Sequence, residues 1–132
     1  MSADIVHIAP TEKTPEINLD PRGHIKISGR AIDENIRKAP EQVMTWLDSY
    51  VQNPAENTEV TVALEYLNSF NTIILTSILR KIYQVKQKSK NILIKWFIEN
   101  DDDDLRDRGE SISNAFNLQI EFEGVDDIKS LY

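Results

Sequence analysis

Two apolar strand runs, residues 59–66 and 91–98, flank an amphipathic segment from Phe70 to Lys88, and this alternation constrains the fold more than any other feature. Strands joined by so long a segment do not close as a tight hairpin. They pair in parallel, and the helix returns the chain by a right-handed crossover. The β-branched run Val60, Thr61 and Val62 suits a pleated strand. Residues Asn91 to Ile98 carry little polar interruption, which predicts burial on both faces. Between them, Phe70, Ile74, Ile78, Ile82 and Val85 form one helical stripe, and Ile73, Leu75 and Leu79 widen it beyond a single packing face. Lys81, Lys86, Lys88 and Lys90 near its end complement the helix dipole.

The flanking sequence extends this pattern in both directions. Pro15 to Leu19 and His24 to Gly29 read as a hairpin about the turn Asp20-Pro21-Arg22-Gly23. Pro40 suits the first residue of a helix whose apolar residues are Val43, Trp46, Leu47, Tyr50 and Val51. Asn53-Pro54 ends it. Asp101 to Phe116 reads as a helix opened by four aspartates, and Leu118, Ile120 and Phe122 alternate as a last strand. The order ββαβαβαβ predicts one α/β domain over residues 14–123, a mixed sheet with an N-terminal hairpin and βαβαβ crossovers. Residues 1–13 read as a flexible tail or loose edge segment and residues 124–132 as a C-terminal tail.

Composition removes several function classes. The chain has 132 residues with 15 basic against 22 acidic side chains, a formal charge of −7. That balance disfavours nucleic acid and anionic membrane surfaces, which are held by Lys and Arg. Without cysteine there is no disulfide, thiol nucleophile or Cys-based zinc site. No apolar run approaches the roughly 20 residues of a membrane span. Met1-Ser2-Ala3-Asp4 lacks the pattern of a signal peptide, so the expected location is cytoplasmic.

Few residues offer chemistry. Asp101 to Asp104 invite a hard cation, but consecutive helical residues point in different directions, so the run reads as a dipole-complementing helix start. His7 and His24 stand in no triad-like setting, and the four glycines form no phosphate loop. Trp46 and Trp96 lie in apolar stripes and read as core. The junction Leu64-Glu65-Tyr66-Leu67-Asn68-Ser69 differs, because it places a carboxamide and a hydroxyl at a helix N-terminus. Asn68 or Ser69 there is a plain cap, or Ser69 accepts a phosphate that changes a surface.

Four stretches together carry a resemblance: Thr14-Pro15-Glu16-Ile17; Ile27-Ser28-Gly29-Arg30 through Glu34-Asn35; the Leu64–Ser69 junction; and Trp96-Phe97-Ile98-Glu99-Asn100 with Asp101 to Asp104, then Gly109-Glu110. In order and spacing, from about Thr14 to Phe122, the chain resembles the SiaC family of bacterial regulatory phosphoproteins, which have a STAS-like fold similar to anti-sigma-factor antagonists. The resemblance implies a phosphorylation site at Ser69, a dedicated kinase, a PP2C-type phosphatase, and a signalling partner such as a diguanylate cyclase that binds the unmodified form. Where the family has a small residue, two serines and often a lysine, this chain has Phe70, Asn71, Thr72 and Ile73, which makes Thr72 a second candidate. The family's acidic stretch implies that Glu99, Asp101 and Asp102 form a rim recognised by the kinase or holding a cation.

The expected function is therefore a non-enzymatic partner switch, with no cofactor and no resident metal. Tyr66, Asn68, Phe70 and Ile73 would meet the partner, and phosphate on Ser69 would control binding. The alternatives are a scaffold that never carries phosphate, and a metal-dependent enzyme built on the acidic run.

Overall fold

Alternating apolar residues build six strands, and three amphipathic helices cover one side of the sheet they form. The computed structural model describes residues 4–132. In chain order the elements are β1 (Val6–Ile8), β2 (Glu16–Asp20), β3 (His24–Ala31), α1 (Lys38–Tyr50), β4 (Asn57–Leu67), α2 (Ser69–Ile82), β5 (Asn91–Glu99), α3 (Asp103–Phe116) and β6 (Ile120–Val125). Strand order in the sheet equals chain order. β1 to β3 are antiparallel and β3 to β6 are parallel. Every crossover therefore steps the same way, and right-handed crossovers that step one way place all three helices on one face.

The core lies between that face and the helices. Ile25 and Ile27, Val60, Val62 and Leu64, and Ile94, Trp96 and Ile98 alternate into it. Trp46 joins the same core, stacked on Tyr50 with ring centroids 4.9 Å apart. A one-sided helix layer corrects the burial expected on both faces of β5: only Ile94, Trp96 and Ile98 are buried, and Leu93 is 36% exposed. The α2 stripe is also corrected. Its buried residues are Asn71, Leu75, Ile78, Leu79 and Ile82, so Leu75 and Leu79 belong to the core. Phe70 and Ile74 sit half-buried on its flank, and Ile73 faces solvent. Beyond Ile82 the helix tightens into a 3-10 segment, Tyr83–Lys88, that ends at Ser89 with φ of 60°. Pro40 is the third residue of α1 rather than the first; its missing N–H costs nothing there, because first-turn N–H groups have no helical acceptor.

Both ends of the chain add to the sheet. Within residues 1–13, of which 1–3 lie outside the described residues, Val6–Ile8 pairs antiparallel with Ile17–Leu19. Within residues 124–132, β6 extends to Val125 and a short 3-10 turn, Ile128–Leu131, packs on the helix-free face over β4 and β5. Ile128 is 1% exposed, and its N–H donates to a Glu99 carboxylate oxygen at 3.0 Å. Lys26 donates to the Leu131 carbonyl, and Lys129 lies 3.8 Å from Glu65. A stretch read as a tail is thus docked by one apolar anchor and several polar contacts.

Candidate functional site

The pairing of β4 with β5 brings two loops to one rim. Ala63 faces Phe97 in parallel register, so the Leu67–Ser69 turn and the Asn100–Asp102 turn leave the sheet side by side. Functional loops of open parallel sheets gather at this carboxyl edge.

Asn68 is the cap of α2. Its backbone is extended, with φ −88° and ψ 176°, and its side-chain oxygen accepts the Asn71 N–H at 2.9 Å. The Asn68 amide group donates to the Ile32 carbonyl at 2.9 Å, and its backbone N–H donates to Ala31. Asn71, buried beneath the first turn, donates its amide to both Asn68 Oδ1 and the Asp33 carbonyl. Two carboxamides therefore fasten the helix start to the loop after β3.

Ser69 follows as the first helical residue and is exposed. Because Asn68 caps, the Ser69 hydroxyl has no capping duty, and among the described residues no side-chain hydrogen bond engages it. Thr72 differs: its hydroxyl donates to the Asn68 carbonyl at 2.7 Å and accepts from Arg108 Nη1 at 3.0 Å. Around this turn stand Tyr66, 53% exposed, and Ile73, 70% exposed. Arg30 lies over the Tyr66 ring at 5.5 Å and Arg37 over the Phe70 ring at 5.4 Å. The Glu65 carboxylate, 3.3 Å from Arg30, raises that guanidinium's pKa further, so it stays charged.

The acidic residues do not act as a set. Glu99 points to the helix-free face, where it holds Ile128. Asp102 caps α3 by accepting the Leu105 N–H at 3.1 Å. Asp101 is exposed in the turn between them. Among the described residues no group of three or more His or acidic side chains is arranged to hold a metal ion. His7 on the edge strand β1 meets Glu16 on β2 at 2.8 Å, and His24 is exposed on β3. Tyr66, Asn68, Ser69, Phe70, Thr72 and Ile73 lie around one turn, and Glu99 points away from it. Sequence reasoning missed Asn71 and the arginines Arg30, Arg37 and Arg108. The Asn-x-x-Asn spacing of 68 and 71 signals a cap with a reinforced partner; the arginines come from distant segments and leave no local signal.

The description of the matching family model is SiaC family regulatory phosphoprotein, and the match spans residues 8–125. The fold is similar to that of apo-SiaC from Pseudomonas aeruginosa, with a TM-score of 0.79 at 20% identity over 92% of this chain and 99% of that one. It is similar also to SiaC in the crystal structure of the Pseudomonas aeruginosa diguanylate cyclase SiaD in complex with its activator SiaC, with a TM-score of 0.81 at 20% identity over 91% and 99%. A search of curated proteins finds no significant match. No helix among the described residues is long and apolar enough to cross a membrane.

Proposed function

This chain belongs to the SiaC family of regulatory phosphoproteins, and from that premise we propose that it is a non-enzymatic partner switch controlled by phosphate on Ser69. The observation that carries this reading is an exposed serine relieved of capping by Asn68 and set beside the exposed side chains of Tyr66 and Ile73. In the unmodified state this turn offers Tyr66, Phe70 and Ile73 as an apolar contact, with Asn68 setting its backbone. A phosphate adds about −1.5 to −2 charges to the turn. The helix N-terminus tolerates that charge, but an apolar or acidic partner surface has to desolvate it or repel it.

A cognate kinase and a PP2C-type phosphatase set the phosphate level in this reading, in the cytoplasm. The signalling partner is a diguanylate cyclase, by analogy with the Pseudomonas aeruginosa complex. Asp101 and Asp102, beside the same turn, mark the rim for the kinase.

The test has two parts. Phosphopeptide mass spectrometry on protein from its own host is expected to find a variable fraction modified at Ser69. Ser69→Asp is expected to weaken partner binding at least tenfold, about 1.4 kcal/mol, by calorimetry against the host's cyclase. No phosphate at Ser69 or Thr72 under any growth condition, with the Asp variant binding as wild type, would leave a constitutive scaffold.

A further inference from the structure

We propose that Arg108 of α3 is the intramolecular receptor for a phosphate on Ser69, so that modification fastens α2 to α3. The inference rests on the reading of Ser69 as the modified residue.

Residues three and four apart share a helix flank, so Ser69, Thr72, Thr76, Arg80 and Tyr83 form one line along α2 and the turn after it. That line faces α3. Arg80 lies over the Phe116 ring at 4.5 Å, the Tyr83 hydroxyl accepts the Gln119 N–H at 3.3 Å, and Thr72 accepts from Arg108. Ser69 stands one turn before Thr72 on the same flank. Arg37, stacked on Phe70, belongs to the opposite flank.

Arg108 is half-buried and, among the described residues, forms no ion pair within 4.0 Å. Its contact is the neutral Thr72 hydroxyl. A charge-assisted bond to phosphate is roughly twice as strong as a neutral one, and the guanidinium fork donates to two phosphate oxygens at once. Asp104 and Asp107 line the same groove as Thr72 and Arg108 and repel a phosphate there, so Arg108 is the cation among the lining residues that can hold one. Modification then exchanges the Arg108–Thr72 bond for an Arg108–phosphate bond and draws the first turn of α2 towards the second turn of α3.

The experiment uses the full chain with phosphoserine incorporated genetically at position 69 and follows the phosphate by ³¹P NMR against pH. With Arg108 present, the second ionisation is expected below its ordinary value of about 6. Arg108→Gln is expected to raise the midpoint by about half a pH unit or more, and Arg108→Lys to recover part of that. The same midpoint in wild type and Arg108→Gln overturns the proposal. Should Arg108→Gln fail to fold, Thr72→Val serves: it removes the competing hydroxyl, so the midpoint stays or falls, and a rise overturns the proposal. Because the phosphate is installed without the kinase, the titration is independent of whether the host modifies Ser69. Unchanged partner binding by the phosphoprotein sinks the switch alone, and an unmoved titration sinks the Arg108 receptor alone.

Discussion

Asn68 holds the start of α2 with both ends of its carboxamide, and among the described residues the hydroxyl of its neighbour Ser69 holds nothing. Asn68→Ala is expected to cost about 1–2 kcal/mol in urea unfolding, from the lost cap and the bond withdrawn from Ile32. Ser69→Ala is expected to stay within about 0.5 kcal/mol. Equal losses would return the capping role to Ser69. The sequence narrowed the cap to these two residues; the extended backbone at Asn68 decided between them, because a cap must stand just outside helical geometry. A second residue-scale effect lies at Tyr132, whose phenol is pushed up from 10.0 to about 12, chiefly by burial. The fold thus favours the protonated phenol. Its contribution is intact below pH 10 and is lost as pH rises through about 12. Tyr132→Phe should lose less stability over that window than wild type, read as the shift in urea midpoint. An equal loss would mean that the fold does not favour the protonated phenol.

Two glycines with positive φ lie just before β3 and within it, and they differ in what surrounds them. Gly23, φ 108°, closes the β2–β3 turn, and an added Cβ would stand 2.1 Å from the Asn57 carbonyl oxygen. Gly29, φ 110°, sits at the register shift against β4, where the nearest heavy atom would be 3.7 Å away. Gly29→Ala is expected to cost about 1–2 kcal/mol from backbone strain alone. Gly23→Ala should cost clearly more, because backbone must also move. Thermal unfolding of both variants checks the order, and a smaller loss at Gly23 would contradict the turn geometry. The hairpin was legible because Asp20-Pro21-Arg22-Gly23 is local turn chemistry. The register shift at Gly29 was not, since it is a relation between two strands more than thirty residues apart in sequence. For the same reason the sequence promoted Phe70 to the core stripe and demoted Leu75: periodicity gives the angles between side chains, not which angle faces the sheet.

At the scale of the molecule, the helix-free face of the sheet is partly covered over β4 and β5 by the turn Ile128–Leu131. Ile128 is its apolar anchor, and Lys26, Glu65, Glu99 and Lys129 contact the same 3-10 turn. Ile128→Ala is expected to cost about 2 kcal/mol or more in urea unfolding. A loss under about 0.5 kcal/mol would mean that the turn undocks as a separate unit. Local pattern does not announce this docking, because three apolar residues, Val125, Ile128 and Leu131, are too short a run to tell an element from a tail. The alternation of strands and helices, the parallel crossovers and the Tyr66–Thr72 cluster were all legible, since each depends on short-range spacing within one segment. The side on which helices gather, the parting of Glu99 from the other acids, and the meeting of Arg108 with Thr72 were not. Each depends on which elements become neighbours, and that follows from burying all the apolar faces at once.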